Sequence, residues 1–365
     1  MTATITDAIG ALPEACEFVR GRAAALDRVE TTARVDVAKL GELGLFAPGC
    51  PGRPLSEMVT VIEQIAQESL AAGFSAWAHR MALEYVARGP ETARQKFGTA
   101  LESGSAVGVT AMAAGLKHCA GLGELSLVAE PSPGGITVTG PIRWASNLFD
   151  DALIVFCARS AADDARYVAV TPIDAPGVTV KPAPDLLALG GTASSSLEFA
   201  EVFVPSEAII TADLRGFVRQ VRPAFLLLQT AFCLGIAGTA VQECGRHLDG
   251  LGACFTGEHA ELAHGVSSAR ERLYRFAEAV SSVERKDDPD PAARQTAGPS
   301  DGELIRLRLD GSQSAMAATR LEVTLRGGAG YATASATNRR FREAAFLPVQ
   351  SPSEGQLRWE LERSN

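Results

Sequence analysis

The spacing of apolar positions changes period twice along the chain. Between residues 12 and 104, apolar residues recur three and four apart in ALPEACEFVRGRAAALDRV, RVDVAKLGELGLF and SEMVTVIEQIAQESLAAGFSAWAHRMALEYVARG. That spacing lines one face of a helix. Pro48, Gly49, Pro51 and Gly52 interrupt this helical part. From about Ser105 the pattern becomes short β-branched runs, AVGVTAM, LSLVAE, ITVTG, ALIVFCA, RYVAVTPI, VTVKPAP and SSLEFAEVFV, separated by Gly, Pro and Asp. Seven such runs in succession predict a compact sheet domain, sandwich or barrel. After Pro205 the helical period returns and holds to the C-terminus. The predicted protein is therefore α+β: an N-terminal helical domain (1–104), a middle β domain (105–212) and a C-terminal helical bundle (213–365).

Three segments qualify this outline. PAFLLLQTAFCLGIAGTAV, residues 223–241, has no charge and is long enough to cross a bilayer. Gln229, Thr230 and Thr239 interrupt it, and a helix apolar all round is also what the centre of a bundle requires, so a buried helix is expected and no membrane partner. Residues 284–302, ERKDDPDPAARQTAGPSDG, have little to bury and are expected to form an exposed, mobile loop. In ITVTGPIRWASNLFDDALIVF, residues 136–156, Trp144 sits with small polar residues between two strand-like runs. A flat apolar face beside hydrogen-bonding groups is a good seat for an aromatic ligand.

Composition narrows the function classes. With 365 residues, 46% of them hydrophobic, the chain can bury a large core. A net charge of −9 with no basic block excludes nucleic acid as an expected partner. The seven cysteines are odd in number and scattered, without a C-x-x-C pair or clustered histidines, so they read as reduced thiols and no metal is expected. MTATITDAIGALPEACEF lacks the basic region and apolar core of a signal peptide, which makes a cytoplasmic location the expectation.

Four motifs in order, KLGELGLFAPGCPG, ITVTGPIRWASN, LEFAEVFVPSEAII and GGAGYATASATNRRFREAAF, give the chain a resemblance to the acyl-CoA dehydrogenase superfamily from about residue 10 to the end. The resemblance implies an N-terminal helical domain, a middle β domain and a C-terminal four-helix bundle, assembled as a homodimer or homotetramer. It implies flavin, as FAD with FMN or reduced flavin as alternatives, between the sheet and the bundle. On this resemblance Trp144 would flank the ring and Ser146 would meet its N5 edge, while Val109 and Thr110 would meet the pyrimidine side. Arg326, Gly327, Gly328 and Gly330 would approach a phosphate or adenosine, and Met112, His118 and Tyr331 would contact substrate. The implied reaction is α,β-dehydrogenation of an acyl thioester or other small hydrophobic substrate, with hydride passing to flavin N5 and electrons leaving to an electron-transfer protein.

The sequence also departs from the family's pattern where the reaction is decided. Dehydrogenation needs a carboxylate to take the α-proton. Eight residues after Glu343, where one branch carries that carboxylate, stands Ser351; Glu354 comes three residues later, and the other branch's position falls near Ala224. Glu354 is then either the base on a longer loop or the first residue of the last helix, where a carboxylate favours the dipole. The thioester-covering segment is replaced by TAMAAGLKH, a flavin-phosphate motif becomes LGACFTG without its arginine, and a familiar glutamine is Thr324. These losses bring a second reading, a reduced-flavin-dependent monooxygenase using C4a-hydroperoxyflavin chemistry with a separate flavin reductase. A third is a catalytically silent scaffold or partner subunit. His79, in FSAWAHRMALEY, is a candidate acid or base, and with Glu354 it joins Ser351, which cannot itself serve as the base, among the candidate catalytic residues.

Overall fold

The computed structural model describes residues 9–50, 53–285 and 298–363. Helices come first: α1 (Leu12–Asp27), α2 (Ala33–Glu42), α3 (Leu55–Glu68) and α4 (Leu70–Ala87), then the single-turn α5 (Glu91–Ala93) and α6 (Thr99–Glu102). Ser69 separates α3 from α4 by adopting extended backbone (φ −155°, ψ 120°), and its side chain accepts from the Ala72 amide. That satisfies one of the amides orphaned at a helix start. Every residue of α4 from Leu70 to Val86 is buried, including His79, Arg80 and Glu84. The Glu84 carboxylate lies between Arg80 and Arg88, so the enclosed charge is paired.

The middle part is a single mixed sheet of eight strands. They are β1 (Val107–Ala111), β2 (Val128–Ser132), β3 (Gly135–Ala145), β4 (Ala152–Ser160), β5 (Arg166–Pro172), β6 (Val178–Val180), β7 (Ser195–Pro205) and β8 (Ile209–Thr211). Their order is β6-β7-β3-β2-β4-β5-β8, with β1 parallel to β4. The short strand β8 was not expected from the sequence. Between β1 and β2 the segment read as a sheet loop is instead the helix α7 (Ala113–Cys119). Strand β1 lies directly on α4, because a Cβ at Gly108 would stand 2.5 Å from the Ala82 Cβ and 2.8 Å from the His79 carbonyl oxygen. Only glycine allows so close an approach.

The C-terminal part has three long helices, α8 (Leu214–Gly245), α9 (Thr256–Arg285) and α10 (Asp301–Tyr331), followed by the short α11 (Ala336–Ala344) and α12 (Glu354–Arg363). Helix α3 of the N-terminal part also packs along α8 and against α9. Helix α8 contains the uncharged stretch and is long and apolar enough to cross a membrane, but 83% of its most apolar window is buried inside the protein. Of the segment 284–302, residues 286–297 lie outside the described residues; its ends are helical, in α9 and α10. All seven cysteines are free, and only Cys254 is exposed.

Candidate active site

A cavity of about 790 Å³ opens where α4, the β1–β3 side of the sheet and the chain around α11 converge. Its floor is aromatic. Phe74 and Trp77, three apart on α4, stack at 5.6 Å between ring centres. Phe346 meets Phe74 edge-on at 4.9 Å, and Phe225 of α8 meets Trp77 edge-on at 5.0 Å. Such tilted pairs suit the ring quadrupoles. The Trp77 Nε1–H has no hydrogen-bond partner in this floor.

The sheet supplies the opposite wall. Trp144 lies at the end of β3, in a register shift between Ile142 and Ala145. An irregularity of this kind re-aims side chains, and here the indole lines the cavity while remaining 45% exposed. The expected loop is thus a strand end. Thr110 lines the cavity from β1, and its hydroxyl pairs with Tyr85 at 3.1 Å. Ser146, just after β3, is buried against a second loop in which Leu189 and Ala193 have left-handed backbone (φ 62° and 46°). That conformation costs about 1 kcal/mol per residue. It is held by the Asn147 and Leu148 amides, which donate to the Thr192 and Ala193 carbonyls at 2.8 and 3.1 Å.

The last wall is the segment after α11. Arg308, buried in α10, donates to the Leu347 carbonyl (3.2 Å), Gln350 Oε1 (2.8 Å) and Gln229 Oε1 (3.2 Å). Gln229 in turn donates to the Ser351 carbonyl at 2.9 Å. This clamp brings Gln350 and Ser351 to the cavity, and the Ser351 hydroxyl has no partner. At the mouth stand Lys117, Arg143 and Glu124, with Leu187 as an exposed apolar lip. Arg342 also lines the cavity, fixed by two bonds to Asp27 at 2.6 and 2.9 Å that hold its pKa above the ordinary guanidinium value.

Of the residues singled out from sequence, Thr110, Trp144, Ser146 and Ser351 come together around this cavity. Others do not. Glu354 opens α12 and bonds Arg358 one turn on at 2.9 Å; it does not line the cavity, so the helix-start reading replaces the catalytic one. His79 is wholly buried, its Nε2–H donating to the Leu101 carbonyl (2.8 Å) and its Nδ1 accepting the Gly108 amide (2.9 Å). Burial pushes its pKa down to about 3, so it is a structural neutral imidazole and not an acid or base. Val109 is buried with its backbone opposite Ile154, and Met112 is buried at the start of α7; neither lines the cavity. His118 is on α7, bonded to the Gly123 carbonyl at 3.0 Å, while its neighbour Lys117 reaches the cavity.

Arg326, Gly327, Gly328, Gly330 and Tyr331 also lie outside the cavity of the single chain. Gly327 has left-handed φ (58°) and breaks α10, Arg326 meets His247 at 3.2 Å, and Tyr331 is 77% exposed. The sequence reading missed the aromatic floor. Its one local signal was the i, i+3 spacing of Phe74 and Trp77; Phe225 and Phe346 join them only through folding.

No family model matches the sequence. The human mitochondrial short-chain specific acyl-CoA dehydrogenase is 23% identical over 352 residues, covering 90% of this chain and 81% of that protein. The glutaryl-coenzyme A dehydrogenase complex with glutaryl-CoA superposes with a TM-score of 0.83 at 18% identity, covering 99% of this chain and 96% of the other. Dibenzothiophene monooxygenase from Paenibacillus sp. A11-2 superposes with a TM-score of 0.78 at 18% identity, covering 98% and 97%. The fold is therefore shared with dehydrogenases and with a monooxygenase.

Proposed function

We propose that this chain, distantly similar to the acyl-CoA dehydrogenase superfamily in sequence and fold, is a flavin-dependent oxidoreductase that oxygenates a small aromatic or apolar substrate with reduced flavin from a separate reductase, rather than dehydrogenating an acyl thioester. The observation that carries this reading is the absence of a base from the cavity wall. Among its described lining residues the single carboxylate is Glu124, whose side chain is 76% exposed at the mouth. Ser351, at the sequence position where the resemblance would put the carboxylate, lines this wall, and a neutral hydroxyl cannot take an α-proton at ordinary pH. The Cys157 thiol, which also lines the cavity, is pushed up to about 12 by burial and stays protonated.

The residues present fit a flavin. A half-exposed indole at Trp144, the Ser146 hydroxyl and the Thr110 hydroxyl border a space lined by aromatic rings, and Lys117 and Arg143 at the mouth suit a phosphate. A bound reduced flavin would supply the two electrons with which one atom of dioxygen enters the substrate and the other leaves as water. The chain's own part is to seat an aromatic substrate on Phe74, Trp77, Phe225 and Phe346 and to exclude water there. The unpartnered Trp77 Nε1–H and Ser351 hydroxyl would hold a polar atom of that substrate.

Two assays test the reading. Anaerobic titration of the flavin-loaded protein with short, medium, aromatic and dicarboxylic acyl-CoAs is expected to leave the oxidised flavin's colour unchanged; bleaching by any of them sinks the proposal. Under oxygen, with a flavin reductase and indole as a bicyclic probe, oxygenated product is expected. Glu354→Gln is expected to leave product formation within about twofold of the parent, since the carboxylate serves Arg358. A loss of a hundredfold or more, about 2.7 kcal/mol of barrier, would restore it to the chemistry.

A further inference from the structure

Three hydroxyls behind the sheet wall form a chain whose polarity is fixed by its far end. Thr192 Oγ1 lies 2.7 Å from the Leu189 carbonyl, which can only accept, so the threonine's single proton is committed there. Ser194 Oγ lies 2.8 Å from Thr192 Oγ1 and must therefore donate to it. Ser146 Oγ lies 2.7 Å from Ser194 Oγ, whose proton is now used, so Ser146 must donate to Ser194. Any other assignment sets two lone pairs against each other in a buried chain: Thr192, Ser194 and Ser146 are 0%, 4% and 7% exposed. Both Ser146 and Ser194 line the cavity. With its proton turned inward, Ser146 offers the cavity lone pairs only.

We propose that this hydroxyl chain makes Ser146 an obligate acceptor, so that the cavity selects the reduced form of its flavin over the oxidised form. The inference rests on the flavin reading above and deepens it. Oxidised flavin presents an unprotonated, accepting N5, whereas reduction places a hydrogen on that nitrogen. The resemblance places Ser146 at the N5 edge, and on that placement an acceptor there matches the N–H and opposes the lone pair. To serve the oxidised ring, Ser146 would have to withdraw its proton from Ser194 and leave a buried oxygen unmatched. The device suits a protein that receives its flavin already reduced, and it lets the oxidised product depart.

The polarity can be reversed without touching Ser146. In Thr192→Val the acceptor for Ser194 disappears, freeing Ser194 to donate to Ser146 and turning the Ser146 proton toward the cavity. In Ser194→Ala the Ser146 proton is freed directly, which covers the case where the threonine variant does not fold. The measurement is the anaerobic dissociation constant of chemically reduced and of oxidised FMN and FAD for the parent and both variants. The parent is expected to bind the reduced form more tightly by about tenfold or more. Each variant is expected to lose about tenfold of that preference, which lowers the bound flavin's midpoint potential by about 30 mV. Flavin binding with the same reduced-to-oxidised ratio in all three proteins overturns the relay and leaves the flavin reading standing. If the parent binds neither form, both fall together.

Discussion

Replacing Glu322 with alanine is expected to destabilise the protein by about 3–5 kcal/mol, because it strands a buried guanidinium. Glu322 is fully buried in α10 and receives the Arg340 Nε–H at 2.9 Å, a second bond from Arg340 Nη2, and the Thr337 hydroxyl at 2.7 Å. Arg340 is itself 8% exposed, so water cannot take over from the lost carboxylate. Together these bonds fasten α11 to α10. The chain leaving α11 supplies Phe346, Gln350 and Ser351 to the cavity, so the variant should weaken flavin binding as well as folding. Urea denaturation followed by tryptophan fluorescence reads the first effect. Glu322→Leu combined with Arg340→Met should recover most of the loss, since replacing both members of a buried pair removes the unpaired charge. A single-variant cost below about 1 kcal/mol would mean that the pair does not tie these helices.

The second large effect is acid sensitivity through His79. Its folded pKa is pushed down to about 3 from 6.5, mainly by burial, with the Leu101 carbonyl and Asp151 opposing the shift and Arg34 and Arg80 adding to it. Between these two values the unfolded chain holds one more proton than the folded one, so stability rises with pH across that window. The contribution is complete above about pH 6.5 and is lost progressively as pH falls, by about 4 kcal/mol on reaching the folded pKa. In the parent this residue adds a slope of about 1.4 kcal/mol per pH unit below pH 6.5. His79→Gln, which keeps a donor for the Leu101 carbonyl, should be flatter by that amount in urea midpoints measured from pH 6.5 to 4.5. Parallel pH curves for the two proteins would place the imidazole in a solvated setting. The same burial explains why His79 cannot exchange protons with a substrate.

The three-part architecture was legible because helix and strand impose different periods on the apolar positions, and both are local properties. Trp144 drew notice from its small polar neighbours, as a loop where the structure has a strand end, whereas Ser146 and Thr110 were singled out only through the resemblance; all three line the cavity. What escaped was anything built from distant chain. Ser146's partner Ser194 lies 48 residues later, with Thr192 bonded to Ser194 in turn, and no local pattern joins them. Glu354 illustrates the opposite error. Its Arg358 partner stood four residues away in EGQLR, the spacing of a helical pair, and that short-range pairing outweighed the distant role. The helix α7 was missed because seven residues framed by strands carry too little periodicity to declare themselves. His79 lay on a helix buried on every side, and such a helix gives no clue to which side meets a ligand.

The cavity draws on α4, on the sheet and on the segment beyond α11, so every third of the polypeptide contributes to one rim. A molecule seated there is gripped by the whole native fold and by no unfolded fragment of it. Occupancy must then raise the melting temperature, by an increment worth about 2.7 kcal/mol when the compound is present at a hundred times its dissociation constant. A dye-based melting screen across a library of aromatic metabolites, run with and without flavin, can therefore identify what this protein acts upon before any turnover assay exists.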